Sequence, residues 1–227
     1  MDWDLLRFML IGGWPDGMVG GLVINLFLFV VALVAGLVIA VPVALLRLSA
    51  SWPVRAAVTA VVEVLRSTPL LLLVFWAYLL LPLMTAATPN PLHSALLALV
   101  LYSAAYQSEI VRAGLASVPA GEVEAALVAG MSRTQASLHV VIAQGLRRMV
   151  PASFSFAVSL FKDTAVVYVV GVVDLMQTGL IASERHPNDM LANYLMMAAC
   201  FFVVGLAITL IGRRFERRLA FTRRAAA

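Results

Sequence analysis

Residues 22–46 read LVINLFLFVVALVAGLVIAVPVALL, and no charged side chain occurs anywhere from position 17 to position 46. About 20 apolar residues in a helix span the hydrocarbon of a bilayer, where every backbone N–H and C=O must be paired internally. The run therefore reads as a transmembrane helix. The rest of the chain agrees with it. The 227 residues are 63% hydrophobic and 12% charged, with a mean hydropathy of +0.98, whereas a soluble domain carries about 25% charged residues. The solvent of this fold is lipid.

Outward from that run, four further apolar stretches qualify as spans, at 54–81, 92–111, 150–171 and 190–211. Pro82, Pro89 and Pro91 punctuate the link between the second and third, where a helix would break. The expected fold is all-α and polytopic, with five transmembrane helices. Arg47 and Arg55, then Arg112, Arg133, Arg147 and Arg148, then the tail arginines 213, 214, 217, 218, 223 and 224 fall on one side. Asp2, Asp4 and Asp16, and later Asp174, Glu184 and Asp189 against Arg185, fall on the other. The positive-inside rule then puts the N-terminus outside and the C-terminus in the cytoplasm. The chain divides into an extracytoplasmic or interfacial segment at 1–21, a membrane domain at 22–211 and a basic cytoplasmic tail at 212–227. Trp3 and Trp14 of the first segment are expected at headgroup level, and its aspartates do not suit the basic start of a signal peptide.

Several functions are excluded by what the sequence lacks. A single cysteine, Cys200, permits no disulfide or thiolate-ligated metal within one chain. No P-loop pattern is present to cradle ATP phosphates. His93, His139 and His186 show no ligand-like spacing, so no metal site is expected. The net charge of +4 follows membrane topology rather than nucleic-acid binding, leaving lipid as the expected surface partner.

Between spans three and four, residues 113–148 form a patterned cytoplasmic segment. Pro119 suits a first helical turn, with Glu122 and Glu124 complementing the helix dipole. Gly130 is a stop, and Ser132-Arg133-Thr134-Gln135 forms a capping box that starts a second helix. That helix is expected to run through Leu138, Val141 and Ile142 into span four. An ordinary interfacial hairpin would show the same local chemistry.

The residues inside this segment carry a resemblance. Glu124-Ala125-Ala126, three residues, then Gly130, followed by Val140-Val141-Ile142-Ala143, resembles the coupling loop of the membrane subunits of binding-protein-dependent ABC importers. Glu63-Val64-Leu65-Arg66-Ser67-Thr68-Pro69-Leu70, Ala105 through Gly114, Ser117-Val118-Pro119, Lys162-Asp163-Thr164 and Gly171 through Leu175 keep the order of the polar amino acid permeases. Phe75-Trp76-Ala77-Tyr78, Val167-Tyr168-Val169 and Ser183-Glu184-Arg185 are similar to glutamate/aspartate-type permeases. The resemblance covers about residues 20–219. The chain departs from it at Ala143, where a proline is common, and at Ser67, Ala120 and Glu122.

The resemblance implies a type I ABC importer permease in a bacterial cytoplasmic (inner) membrane. It implies ATPase subunits that bind ATP and Mg, none being held by this chain, together with an extracytoplasmic amino acid-binding protein. A second permease subunit, a copy or a sister, completes the pore. Glu124, Ala125, Ala126 and Gly130 would form the docking helix for the ATPase. The implied cargo is a polar amino acid of glutamate/aspartate type, the alternative being basic or neutral amino acids or their derivatives.

Ionisable residues within spans are functional candidates by default. Glu63 and Arg66, and again Glu109 and Arg112, share a helix face at a spacing of three, as structural ion pairs or as elements of a gate. Lys162 and Asp163 are adjacent and cannot pair well along one helix. Lys162 stands roughly 18 Å into its span at 1.5 Å per residue. Arg66 or Lys162 for carboxylates and Asp163 for an ammonium suit an amino acid substrate, with Thr68, Tyr106 and Thr164 as hydrogen-bonding candidates. An ion-coupled secondary transporter is the rival class. It would use the buried acids as ion sites, but would leave the Glu-Ala-Ala-Gly segment idle and calls for an internal repeat that is not visible.

Overall fold

The computed structural model describes residues 3–49, 51–85, 88 and 90–224. Asp2 and Pro89 lie outside the described residues, as do the side chains of Arg223 and Arg224. In order come α1 (Trp3–Ile11), α2 (Gly21–Arg47), α3 (Trp52–Ser67), α4 (Leu70–Thr85), α5 (Pro91–Ala116), α6 (Ala120–Val128) and α7 (Arg133–Ala136). A π-helical stretch, Ser137–Ile142, joins α7 to α8 (Ala143–Asp163). A 3-10 segment, Thr164–Val170, precedes α9 (Leu175–Arg185), and α10 (Met190–Arg224) closes the fold.

Among the described residues, four stretches are long and apolar enough to cross a membrane, beginning at Gly21, Pro91, Arg133 and Pro187. The break expected at Pro82 is absent, since α4 carries that proline inside it and runs on to Thr85. The second expected span, 54–81, is nonetheless not one helix. It is broken between α3 and α4, whose axes meet at 104°. The cause is Pro69, which disfavours the helical conformation at the residue before it; Thr68 accordingly adopts φ −83°, ψ 128°. Counted as one bent crossing, the pair brings the total to five.

The membrane core is built on close helix approach rather than on apolarity, since lipid tails match leucine and reward only tight packing. Ala32, Gly36, Ala40 and Ala44 are all buried, four residues apart on one face of α2. They meet α5, where Ser103 comes so near that a Cβ on Gly36 would stand 2.5 Å from its Oγ. Gln107 locks the contact, its Nε2 donating to Leu33 O at 2.9 Å and to Ser103 Oγ at 2.8 Å. Above this seam Phe29 meets Phe161 edge to face at 5.7 Å. At the other end Gly114 of α5 backs onto Gly145 of α8, where added Cβ atoms would stand 3.1–3.2 Å from the opposing glycine's carbonyl oxygen.

The N-terminal segment is packed rather than merely laid on the surface. Met9 of α1 is fully buried with Leu175, Ala182 and Met197, while Trp3 and Trp14 stay exposed. Gly21 (φ 62°) turns the chain into α2, and its N–H donates to Val173 O at 3.0 Å. A Cβ there would lie 2.1 Å from Met9 O.

Candidate functional site

The patterned segment after α5 folds as helix, corner, helix. Its first helix, α6, carries Glu124, Ala125 and Ala126. The Met131 N–H donates to Ala126 O at 3.1 Å and the Gly130 N–H to Leu127 O at 3.0 Å. That pair of bonds is a Schellman ending, which requires a left-handed residue; Gly130 supplies it at φ 89°. No other atom lies within 4 Å of where a Gly130 Cβ would be. Beyond the corner the Ser132–Gln135 capping box is complete, Ser132 N–H donating to Gln135 Oε1 at 2.8 Å. The second helix does run on into α8, as its sequence predicts, but through the π-helical turn at Ser137–Ile142. Single π turns are frequent at functional sites.

The two ends of α6 are held differently. Glu122 accepts from Gln144 Nε2 and lies 3.6 Å from Arg148, while Arg148 donates to Ser117 O at 2.7 Å. These bonds clamp the start of α6 to α5 and α8. The far end carries exposed apolar residues: Val128 at 90%, with Leu127 and Met131 beside it in the chain. Glu124 is exposed too, and makes no hydrogen bond or ion pair among the described residues.

At the end of the core nearest this segment lies a charged seam. Arg66 Nη1 stands 3.0 Å from Glu63 Oε1, and Arg112 Nη2 2.5 Å from Glu109 Oε1. Arg47 joins them, with Nη1 2.8 Å from Glu109 Oε2 and Nη2 3.5 Å from Glu63 Oε1. The sequence counts Arg47 among the topology-setting charges between the first two spans; it ends α2 with its side chain only 5% exposed. Removing an arginine from water costs several kcal/mol, roughly, unless it is paired, and two carboxylates from different helices provide the pairing.

The substrate candidates separate into two groups. Arg66 lies over the Tyr106 ring, 5.4 Å from its centroid, and Tyr106 Oη donates to Arg66 O at 3.2 Å. Tyr106 in turn packs on Tyr102 at 4.6 Å and stacks on Phe156 at 5.9 Å. Tyr102 Oη donates to Asp163 Oδ2 at 3.2 Å. Arg66, Tyr106, Tyr102 and Asp163 thus form one polar and aromatic strip, reaching across α3, α5 and α8. Lys162 is exposed beside it and makes no hydrogen bond or ion pair among the described residues. Thr68 donates back to Val64 O at 2.7 Å.

Thr164 does not belong to this strip. It is fully buried, donating to Phe161 O at 2.7 Å and accepting from Asn25 Nδ2 at 3.1 Å. Asn25 also donates to Asp174 Oδ2 at 3.0 Å and accepts from the Leu175 N–H at 2.9 Å. Asp174, expected as an outer loop charge, is instead a buried cap of α9, accepting from the Gln177 N–H. Burial lifts its carboxyl to about 6, against the pull of the bonds from Gln177 and Asn25. The signal for Asn25 was available, since it is the lone amide in the run at 22–46 and polar groups at membrane depth are costly unless bonded. Tyr102 and Arg47 left no comparable trace.

The family pattern described as "Binding-protein-dependent transport system inner membrane component" matches residues 32–221. The glutamate/aspartate import permease protein GltK of Escherichia coli O6:H1 is 35% identical over 207 residues, 88% of this chain and 92% of GltK. The L-cystine transport system permease protein TcyB of Bacillus subtilis (strain 168) is 30% identical over 219 residues, 96% of this chain and 92% of its own length. A crystal structure of an amino acid ABC transporter with histidines superposes with a TM-score of 0.81 at 30% identity, covering 87% of this chain and 92% of that one. The chain belongs to the family of inner-membrane components of binding-protein-dependent transport systems, whose members are permease subunits rather than enzymes.

Proposed function

We propose that this chain is the permease half of an ATP-driven importer of polar amino acids, with acidic amino acids as cargo. The observation that carries the proposal is the tip of α6. It is an apolar, left-handed corner at Leu127–Met131 that is bound at its base and bare at its end. Bare apolar residues beside an unpartnered glutamate suit a groove on a separate subunit. An ABC ATPase, holding the ATP and Mg, is the partner this assigns. The N-terminus lies outside and the C-terminus inside, with a binding protein delivering substrate from the outer face. A second permease subunit, a copy or a sister, completes the pathway.

In the mechanism, closure of the ATPase dimer moves α6. Its Glu122–Gln144 and Arg148–Ser117 bonds carry that motion to the ends of α5 and α8, and Gly114 against Gly145 lets those helices move as a pair. The Arg47–Glu109–Arg112 and Glu63–Arg66 seam re-pairs between inward- and outward-open states. Arg66 and Lys162 attract substrate carboxylates, Asp163 the ammonium, and Tyr106 and Thr68 contribute hydrogen bonds. GltK at 35% identity supports acidic cargo, and TcyB at 30% keeps a neutral or derivatised amino acid as the second reading.

The test is uptake into proteoliposomes holding the chain with its co-purifying ATPase and binding protein, with ion gradients collapsed and a labelled amino acid panel outside. ATP-dependent accumulation of glutamate and aspartate is expected. Uptake that ignores ATP and returns with an ion gradient would refute the importer mechanism, and preference for cystine or arginine would refute the cargo.

A further inference from the structure

Three arginines converge on a cavity of about 550 Å³ where the last turns of α2 and α5 meet the first half of α3. Arg47, Arg55 and Arg112 line it with Thr59 and Trp52, and no carboxylate does. Glu63 and Glu109 lie behind the arginines and leave the group unbalanced. Arg47, Arg55, Arg66 and Arg112 carry four positive charges against their two negative ones. Among the described residues Arg55 has no carboxylate partner and donates to Ser49 O at 3.4 Å. Arg47 is the buried element. Its Nη1 lies 2.8 Å from Glu109 Oε2 and its Nη2 3.5 Å from Glu63 Oε1, so the two carboxylates fix the guanidinium in place. This fixed guanidinium belongs to a residue lining a cavity large enough for a headgroup.

We infer that this cavity binds the phosphate of an anionic phospholipid, the headgroup lying between Arg47, Arg55 and Arg112. Guanidinium forks match phosphate oxygens in charge and plane. Basic pockets between membrane helices on the cytoplasmic side suit anionic headgroups. The surroundings favour a lipid over a soluble anion. Trp52 lines the cavity yet is mostly exposed, and Leu45 and Leu48, close to Arg47 in the chain, are exposed too. A tryptophan with an outward apolar fringe is the side-chain chemistry of the membrane interface. Across α3 the opposite flank is apolar, bearing a groove of about 380 Å³ lined by Val43, Val58, Val61 and Leu101 among others. A headgroup at this place would touch both α3 and the charged seam, so leaflet composition would bias the seam's pairing.

The test is native mass spectrometry of the full chain with its ATPase, released from nanodiscs of phosphatidylglycerol mixed with phosphatidylcholine. One tightly retained phosphatidylglycerol per permease chain is expected. Arg55→Gln, at an exposed position with no ion pair to break, should weaken retention about fivefold, the factor for one basic residue near an anionic surface. Arg213→Gln, in the tail, should leave it unchanged. Equal retention of the two lipids, or an unchanged Arg55→Gln, would overturn the site. Displacement of the lipid by millimolar glycerol phosphate would overturn its lipid character and assign the arginines to a soluble phosphate.

Discussion

Gly130 offers the sharpest separation between conformation and contact. At φ 89° an L-residue pays about 1–2 kcal/mol for the left-handed region. Asparagine tolerates it better than alanine. A Cβ at this position meets nothing within 4 Å, so no clash inside the subunit adds to that sum. Gly130→Ala should therefore lower the population of the native corner about 5- to 30-fold, leaving the membrane helices untouched. Gly130→Asn should keep the corner yet place a polar side chain beside Val128. Gly130→Arg adds bulk as well as strain. The assay is co-purification of the ATPase with each variant from detergent, scored against the amount of permease in the membrane fraction. If the corner itself is the docking surface, arginine abolishes association, and asparagine and alanine both weaken it. If only backbone shape matters, asparagine behaves as the wild type. Wild-type association of Gly130→Arg would refute the coupling role altogether.

Three further outcomes are expected. Gly36→Ala drives a Cβ to 2.5 Å from Ser103 Oγ and should lower stability in detergent by about 1–3 kcal/mol, the cost of overpacking; adding Ser103→Gly should recover part of it, and strictly additive losses in thermal melts would argue against a tight α2–α5 contact. Lys162→Ala should reduce uptake of glutamate and aspartate more than that of neutral amino acids, whereas equal loss would make the lysine structural. Asp174, raised by burial from 3.8 to about 6, binds more protons in the native than in the unfolded chain between those values. Stability should thus fall as pH rises from about 4 to about 6 and level off above. Asp174→Asn, which keeps the cap's acceptor oxygen, should flatten that part of the melting-temperature profile, and an unchanged slope would assign the titration elsewhere.

The residues at 22–46 and 190–211 and the capping signals at Pro119, Gly130 and Ser132 determined the helical class and the corner on their own. Each is a local effect: backbone pairing in lipid, a φ allowed to glycine, a side chain bonding the N–H groups next to it. Tertiary structure alone decided which faces meet. A helix apolar all round has no hydrophobic side to mark its interior, because lipid and protein core are equally apolar. The stripe Ala32, Gly36, Ala40 and Ala44 became a contact only through Ser103 and Gln107 on another helix. Likewise Glu63–Arg66 and Glu109–Arg112 could be paired from a spacing of three, but Arg47 had to arrive from α2 to join them. Asp174 had to meet Asn25, 149 positions away, before a loop charge became a buried cap. Spacing along the chain orders neighbours on one helix; burial and charge pairing depend on distances between helices, which no single stretch of sequence contains.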